Sequence, residues 1–266
     1  MSRRFETWCG FQIGDSLIHL HFLRKLAIRQ PEDQFHHGVN SAHFPQMVEL
    51  IEDLPNVHLF DYHHRQPGAH HIWKNTEGYW EHHPLRDHYA AFHLEWFQHL
   101  SKRMGVESPF QHNEDLLFDY PALLKPTPLS YPFDVLFVNS APCSAQFRAY
   151  LSGPGGCNNP EYFTPMVEAL ASRYSVITTW PSSVKVPCTL DYNITCTGIG
   201  HLSLLCKIIV FVSTGPSWPT FNVWNQHTAK LRLAFLDRET LGMCGNTVEV
   251  GNLEHGMNVL RERGIL

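Results

Sequence analysis

With 266 residues, 43% hydrophobic and 17% charged, the chain has apolar material for a sizeable core in one large domain or two of ordinary size. A formal net charge of −5 without any long run of like charge argues against nucleic acid as a partner, because phosphate binding leaves a basic stripe. Met1-Ser2-Arg3-Arg4 is basic, but FETWCGFQIGD after it is no secretory apolar core. The most apolar run, Leu202 to Val212, is broken by Lys207 and too short to cross a bilayer. Seven scattered cysteines with no C-x-x-C read as reduced thiols, so the expectation is a cytoplasmic protein without a transmembrane segment, compatible with peripheral membrane contact.

In chain order, Phe5 to Phe11 predicts a strand and Ser16 to Arg29 a helix ended by Pro31. Leu17, Ile18, Leu20, Leu23, Leu26 and Ile28 cover most of that helix, which should therefore be largely buried. Phe35 to Val39 is a second strand, Pro45 to Leu54 a helix and Val57 to Tyr62 a third strand, a rhythm that implies a parallel sheet with right-handed crossovers. A loop from His63 to His83 follows, then a long helix from Pro84 to Met104 with the proline suited to its first turn.

Three prolines in Lys125-Pro126-Thr127-Pro128-Leu129-Ser130-Tyr131-Pro132 favour extended chain and divide the protein into domains of residues 1–128 and 129–266. The second half repeats the alternation. Phe133–Val138 reads as strand, Pro160–Ser172 as helix, Tyr174–Thr179 and Asn193–Cys196 as strands, Ile199–Lys207 as helix and Ile208–Ser213 as a buried parallel strand. Pro219–Gln226 (helix), Leu231–Leu236 and Thr247–Val250 (strands) and Leu253–Arg263 (helix) complete it. The fold class is α/β, two Rossmann-like domains whose parallel sheets face a cleft between domains, a common kind of ligand site.

Four features carry chemistry. Gly14-Asp15 falls where the first strand meets its helix, the end of an α/β sheet at which ligands bind. An aspartate there caps the helix or presents a catalytic carboxylate, and the two roles are compatible. Ser213-Thr214-Gly215-Pro216-Ser217 follows an apolar strand; small hydroxyl residues and glycine let backbone N–H groups face an anion such as a diphosphate, or simply make a capped turn. The glycine-rich loop Ser152 to Asn159 matches neither G-x-G-x-x-G nor the P-loop pattern and reads as a surface loop, with Arg148 before it as a phosphate contact. Nineteen histidines include the pairs His36-His37, His63-His64, His70-His71 and His82-His83, but sequence neighbours point apart and no metal framework appears. The loop holding three of these pairs also carries Trp73, Tyr79 and Trp80, like a ring-stacking surface or a packed loop.

The phrases "IGDSLIHLHFLRKLAIRQP" and "GIGHLSLLCKIIVFVSTGPSWPTFNVWN" resemble the strand–Gly-Asp–helix opening and the donor-side segment of GT-B-fold glycosyltransferases, nearest the ADP-heptose:LPS heptosyltransferase-like family. The resemblance spans most of the chain in outline. It implies that Asp15 is the general base on an acceptor hydroxyl. It also places the donor-side turn on Ser213, Thr214, Gly215, Pro216 and Ser217; Gly14, Ser140 and Arg148 are further candidate substrate-binding residues. That family commonly has Asp-Ser-Gly-Pro with a histidine two residues on, whereas this chain has Ser213-Thr214-Gly215-Pro216 and Trp218. The function so implied is metal-independent, inverting transfer from a nucleotide-sugar to a glycan or other hydroxyl acceptor, with no cofactor beyond the donor itself. A nucleotide-sugar epimerase of the same fold and a non-catalytic nucleotide- or sugar-binding protein are the alternatives.

Overall fold

The computed structural model describes residues 2–74, 76–129, 132–139, 160–227, 229–236, 240–243 and 246–266. The chain forms two units, Met1–Ala122 with Leu241–Met243, and Leu123–Thr240 with Cys244–Leu266. The change-over falls ahead of the prolines. Leu123 is already fully buried, and its carbonyl accepts the His201 Nδ1–H bond at 3.1 Å within the second unit.

The first unit holds β1 (Arg4–Cys9), α1 (Ile13–Arg29), β2 (Gln34–Val39), α2 (Phe44–Leu50), β3 (Val57–Asp61), β4 (His70–His71) and α3 (Tyr89–Arg103). Its sheet is parallel, in the order β3-β2-β1-β4. In β1 the period-two pattern buries Phe5, Thr7 and Cys9 and leaves Glu6 and Trp8 half-buried on the other face. The helix α1 is buried nearly all round, including Leu17, Leu20, Phe22, Leu23 and Leu26, although Ile28 is 50% exposed rather than covered.

Burial on every side takes polar residues inside with the apolar ones, and each needs a partner. Arg24 places Nη1 2.8 Å from both Asp53 oxygens and Nε 3.0 Å from Asp119 Oδ1. His21 donates Nε2–H to Asp115 O at 2.9 Å. The expected helix from Pro84 starts only at Tyr89, because residues 84–88 form turns, among them His88 N–H to Leu85 O at 2.8 Å. The Ala90 N–H, an end group with no partner inside α3, donates to Leu241 O at 3.0 Å, which ties residues 241–243 back to this unit.

The second unit holds β5 (Val135–Val138), α4 (Thr164–Ala171), β6 (Val176–Thr178), α5 (Cys196–Leu205), β7 (Ile208–Val212), β8 (Leu231–Phe235), β9 (Thr247–Val250) and α6 (Leu253–Glu262). Its sheet is parallel in the order β6-β5-β7-β8-β9. Unbroken buried runs in β5, β7 and β8 fit strands covered on both faces. Two expected elements are absent. Asn193 takes a left-handed φ of 52° that closes a 3-10 turn, and Cys196 already opens α5, so no strand spans 193–196. Pro219–Gln226 is not an α-helix either: a 3-10 turn covers Gly215–Thr220, and Asn222 Oδ1 accepts the Trp224 and Asn225 N–H bonds just after it. Pro216 and Pro219 lack the N–H groups that a regular helix would use.

Both sheets contain a switch in strand order. In the first, β1, β2 and β3 run to one side and β4 returns to the other side of β1; in the second, β6 and β7 flank β5. Loops leaving the carboxyl ends of neighbouring strands part at such a point, which is where parallel sheets hold ligands.

The first unit should be acid-labile. Burial holds His21 at a pKa of about 4 and His37 and His93 at about 3, and puts His19 well below its ordinary value. Below pH 6.5 the unfolded chain takes up these protons and the folded chain does not. Stability then falls with pH, by up to about 1.4 kcal/mol per unit for each imidazole, until the folded values are reached. Hydrogen exchange should show opening of β1, β2 and α1 rising steeply from pH 6.5 to 5. A flat profile over that window would contradict burial of these rings as neutral groups.

Candidate functional site

At the switch point of the first sheet, α1 begins three residues earlier than its periodicity suggests. Gln12 occupies the cap position in extended conformation, without a side-chain capping bond, and Ile13, Gly14 and Asp15 form the first turn. Asp15 therefore does not cap the helix as a cap residue; its carboxylate reaches back to the Gln12 N–H from the third helical position. Gly14 has ordinary helical backbone. Burial raises the Asp15 pKa, while the Lys74 charge and the Gln12 N–H bond pull against that rise. Beneath it lies the buried thiol of Cys9, whose pKa is pushed up by burial and by the Asp15 charge.

One turn along α1, His19 is fully buried, and among the described residues neither ring nitrogen has a hydrogen-bond partner. His37, on β2, bonds Thr7 Oγ1 through Nδ1 at 2.9 Å. The pair His36-His37 behaves as a strand dictates: His37 is buried and His36 half-buried on the opposite face. Among the described residues, no three His, Cys, Asp or Glu side chains are placed to hold a metal ion.

The other side of the switch point is aromatic. Parallel register sets His71 of β4 beside Trp8 of β1, and their rings stack at 3.8 Å and 7°. Phe11 stacks on Trp73 at 4.1 Å, Tyr62 lies parallel to Trp8 at 6.2 Å, and the Arg65 guanidinium covers Trp8 at 4.3 Å. Gly10 makes room for this: a Cβ there would come within 2.6 Å of Tyr62 Cε2. Of the shelf, sequence reasoning singled out His71 and Trp73 but missed Trp8, Phe11, Tyr62 and Gly10, along with Lys74. A glycine directly after a strand and ahead of an aromatic was the available signal.

In the second unit, Ser213 to Ser217 follows β7 at the switch point. Thr214 N–H donates to Ser217 Oγ at 3.3 Å, and Ser217 returns both Oγ–H and N–H to Thr214 O at 2.7 and 3.0 Å. The turn is thus stiff. Thr214 Oγ1 is buried in a capping box that turns it towards the Ser217 N–H, while Ser213, Gly215 and Pro216 are half-buried. Trp218 is buried at 6.3 Å from Phe221. Ser140, Arg148 and the glycine-rich loop at 152–159 lie outside the described residues. Asn139, closing β5 on the other side of this switch, clamps Trp180 through Oδ1 to its N–H and Nδ2 to its carbonyl, at 2.8 and 3.1 Å.

No protein-family model matches the sequence, and no curated protein matches it by sequence. Among solved structures, the chain is similar to E. coli heptosyltransferase WaaC with ADP, with a TM-score of 0.55, 12% identity and coverage of 98% of this chain and 99% of that one. The glycosyl transferase family 9 protein of Veillonella parvula DSM 2008 gives 0.54, 9% identity and coverage of 99% and 89%. The iron-containing dodecameric glycosyltransferase TibC of enterotoxigenic E. coli H10407 gives 0.54, 12% identity and 93% of this chain, which spans 64% of that protein, under two thirds of its length. The expected likeness to heptosyltransferases is met as a likeness of fold.

Gly10→Val should push the Tyr62 ring off the end of β1 and cost roughly 1–3 kcal/mol, as overpacking does. Urea denaturation measures it; an unchanged midpoint would mean that the shelf yields freely.

Proposed function

We propose that the chain is a glycosyltransferase that moves a sugar from a nucleotide-sugar to an acceptor hydroxyl, inverting the anomeric centre without a metal ion. The observation that carries this reading is Asp15, a carboxylate anchored at the carboxyl end of β1 beside the switch point, with burial strengthening it as a base. The fold shared with named glycosyltransferases supports the reaction class.

As the acceptor oxygen forms its bond to the anomeric carbon, its proton passes to Asp15. The bond from that carbon to the diphosphate oxygen breaks, and the nucleoside diphosphate leaves with the electron pair. Attack from the face opposite the leaving group inverts the centre. Acceptor binding is assigned to the first unit, where Gly14 flanks the base and the stacked Phe11 and Trp73 rings offer a flat apolar face to a sugar ring.

Donor binding is assigned to the second unit. Gly215 N–H and the Ser213 hydroxyl would meet the diphosphate, and Thr214, Pro216 and Ser217 hold the turn. Ser140 and Arg148 join the donor side because they follow β5, the neighbour of β7. A binder of nucleotide-sugars without turnover is the second reading. Trp218 favours it, being buried where the resembled family carries a histidine.

Asp15→Asn keeps an oxygen for the Gln12 N–H, so melting should change little while turnover falls ~10²–10⁴-fold, the share a general base supplies. Full activity in that variant would remove Asp15 as base. A thermal-shift panel of nucleotide-sugars finds the donor, and wild type that binds one but yields no product across an acceptor panel selects the second reading. Gly215→Val should weaken donor affinity in a folded protein; unchanged calorimetric affinity would move the donor elsewhere.

A further inference from the structure

We propose that Arg232 is the positioning residue of the Ser213–Ser217 turn: from the middle of β8 its guanidinium anchors, through one buried chain of hydrogen bonds, the segment that holds this turn in shape. Its effect on donor affinity rests on the transferase reading; its effect on the turn does not.

Arg232 stands inside an otherwise apolar strand. Alternation along β8 sends Leu231, Leu233 and Phe235 into the core they share with α4 and α6, and Arg232 to the opposite face, where it is fully buried. A guanidinium keeps its charge inside a protein, so burying one is costly unless its N–H groups meet acceptors. Those acceptors belong to the segment after the turn. Nη1 donates to Thr220 O at 2.9 Å, and Nη2 to Asn225 O at 3.2 Å and Asn225 Oδ1 at 2.6 Å. The guanidinium carbon also lies 5.6 Å from the centre of the Phe221 ring, which meets Phe211 of β7 edge-on at 5.1 Å.

From Thr220 the bonds run back to the turn. Thr220 Oγ1 donates to Ser217 O at 2.7 Å; Ser217 Oγ donates to Thr214 O at 2.7 Å and accepts the Thr214 N–H at 3.3 Å. A second branch fixes the same segment to α5. Asn225 Nδ2 and Asn222 Nδ2 both donate to Ser203 Oγ, at 2.6 and 3.3 Å, and Ser203 donates in turn to Gly200 O at 2.6 Å. Asn222 Nδ2 also holds Pro219 O at 2.9 Å. Ser203, Ser217, Thr220, Asn222, Asn225 and Arg232 are all buried, so water competes little for these bonds. The segment needs such an anchor because Pro216 and Pro219 deny it regular helical bonds, and its 3-10 turn is not continued as a helix. Arg232 supplies from β8 what this backbone lacks. The Gly215 N–H assigned to the diphosphate is then presented by a turn held on both sides, by β7 before it and by Arg232 after it.

The test follows amide hydrogen exchange by NMR in wild type, Arg232→Met and Arg232→Lys. In Arg232→Met the Thr214 and Ser217 amides should exchange about tenfold faster relative to the amides of β5 and β7 in the same sample, the scale of one charge-assisted hydrogen bond. Arg232→Lys, which keeps the charge and reaches a single carbonyl, should restore part of that protection. Calorimetry with ADP and with UDP reads the consequence: affinity should fall by a similar factor, and the donor KM should rise while kcat stays close to wild type. Should Arg232→Met not fold, Thr220→Val, which keeps the side-chain shape and removes only the hydroxyl bonded to Ser217 O, is measured in its place. Turn amides that stay protected, or that lose protection only in step with β5 and β7, overturn the proposal, since Arg232 would then support the fold as a whole. A turn that loosens while nucleotide affinity is unchanged, or in a protein that binds neither nucleotide as wild type, upholds the anchor and removes the turn from the donor site instead.

Discussion

The structure depends on one constraint of parallel sheets: a strand whose two neighbours both come later in the chain must receive them from crossovers that run in opposite directions. In the first unit β1 is that strand, with β2 on one side and β4 on the other, and in the second it is β5 between β6 and β7. Polar loops can gather at its carboxyl end because the connections diverge there and leave backbone groups uncovered. Asp15, in the first turn of α1, and Lys74, just after β4, follow the carboxyl ends of the two neighbouring strands at this switch. Ser213 to Ser217 follows β7, one of the two strands that part at β5.

The environment of Asp15 follows from the decision to bury α1 all round. A helix with apolar residues on every side cannot keep His19, His21 and Arg24 in water. Arg24 answers this with two carboxylates and His21 with a carbonyl, while His19 and His37 stay uncharged. The result is a region of low polarity next to the first turn of α1. The same feature makes the first unit dependent on neutral imidazoles.

The sequence made legible what periodicity controls. Alternation located β1, unbroken apolar runs located β7 and β8, and a helix apolar on most sides was recognised as buried. It did not reveal β4, two histidines long with no alternation, although that strand creates the switch point. Nor did it reveal the Trp8–His71 stack, which exists only through cross-strand register between residues 63 positions apart. The Ser-Thr-Gly-Pro-Ser turn was legible as a turn. Its continuation as a helix was misread, because the Asn222 side chain, bonded to Pro219 O, the Trp224 N–H and Ser203 Oγ, and two prolines override the local pattern. Gly14-Asp15 was placed at the right corner, but whether the aspartate stands at the cap or inside the first turn is a matter of backbone angles that composition does not carry.

Glycines mark the places where this architecture needs backbone and side chains to approach closely. Tyr62 leans on two neighbouring strands at once, and both give way: Gly10 at the end of β1 receives its ring, and Gly38 in β2 receives its backbone, where a Cβ would sit 2.9 Å from Tyr62 Cα. In the second unit Gly200 of α5 lets Pro219 come close, since a Cβ there would lie 3.0 Å from Pro219 Cβ. These glycines do not bend the chain, as none of the three has a positive φ. They let rings and prolines press against regular elements, which fixes the loops beyond the strand ends without any extra secondary structure. A carboxylate or hydroxyl carried on such a loop is held by packing a few residues away, and it can remain free to meet a substrate.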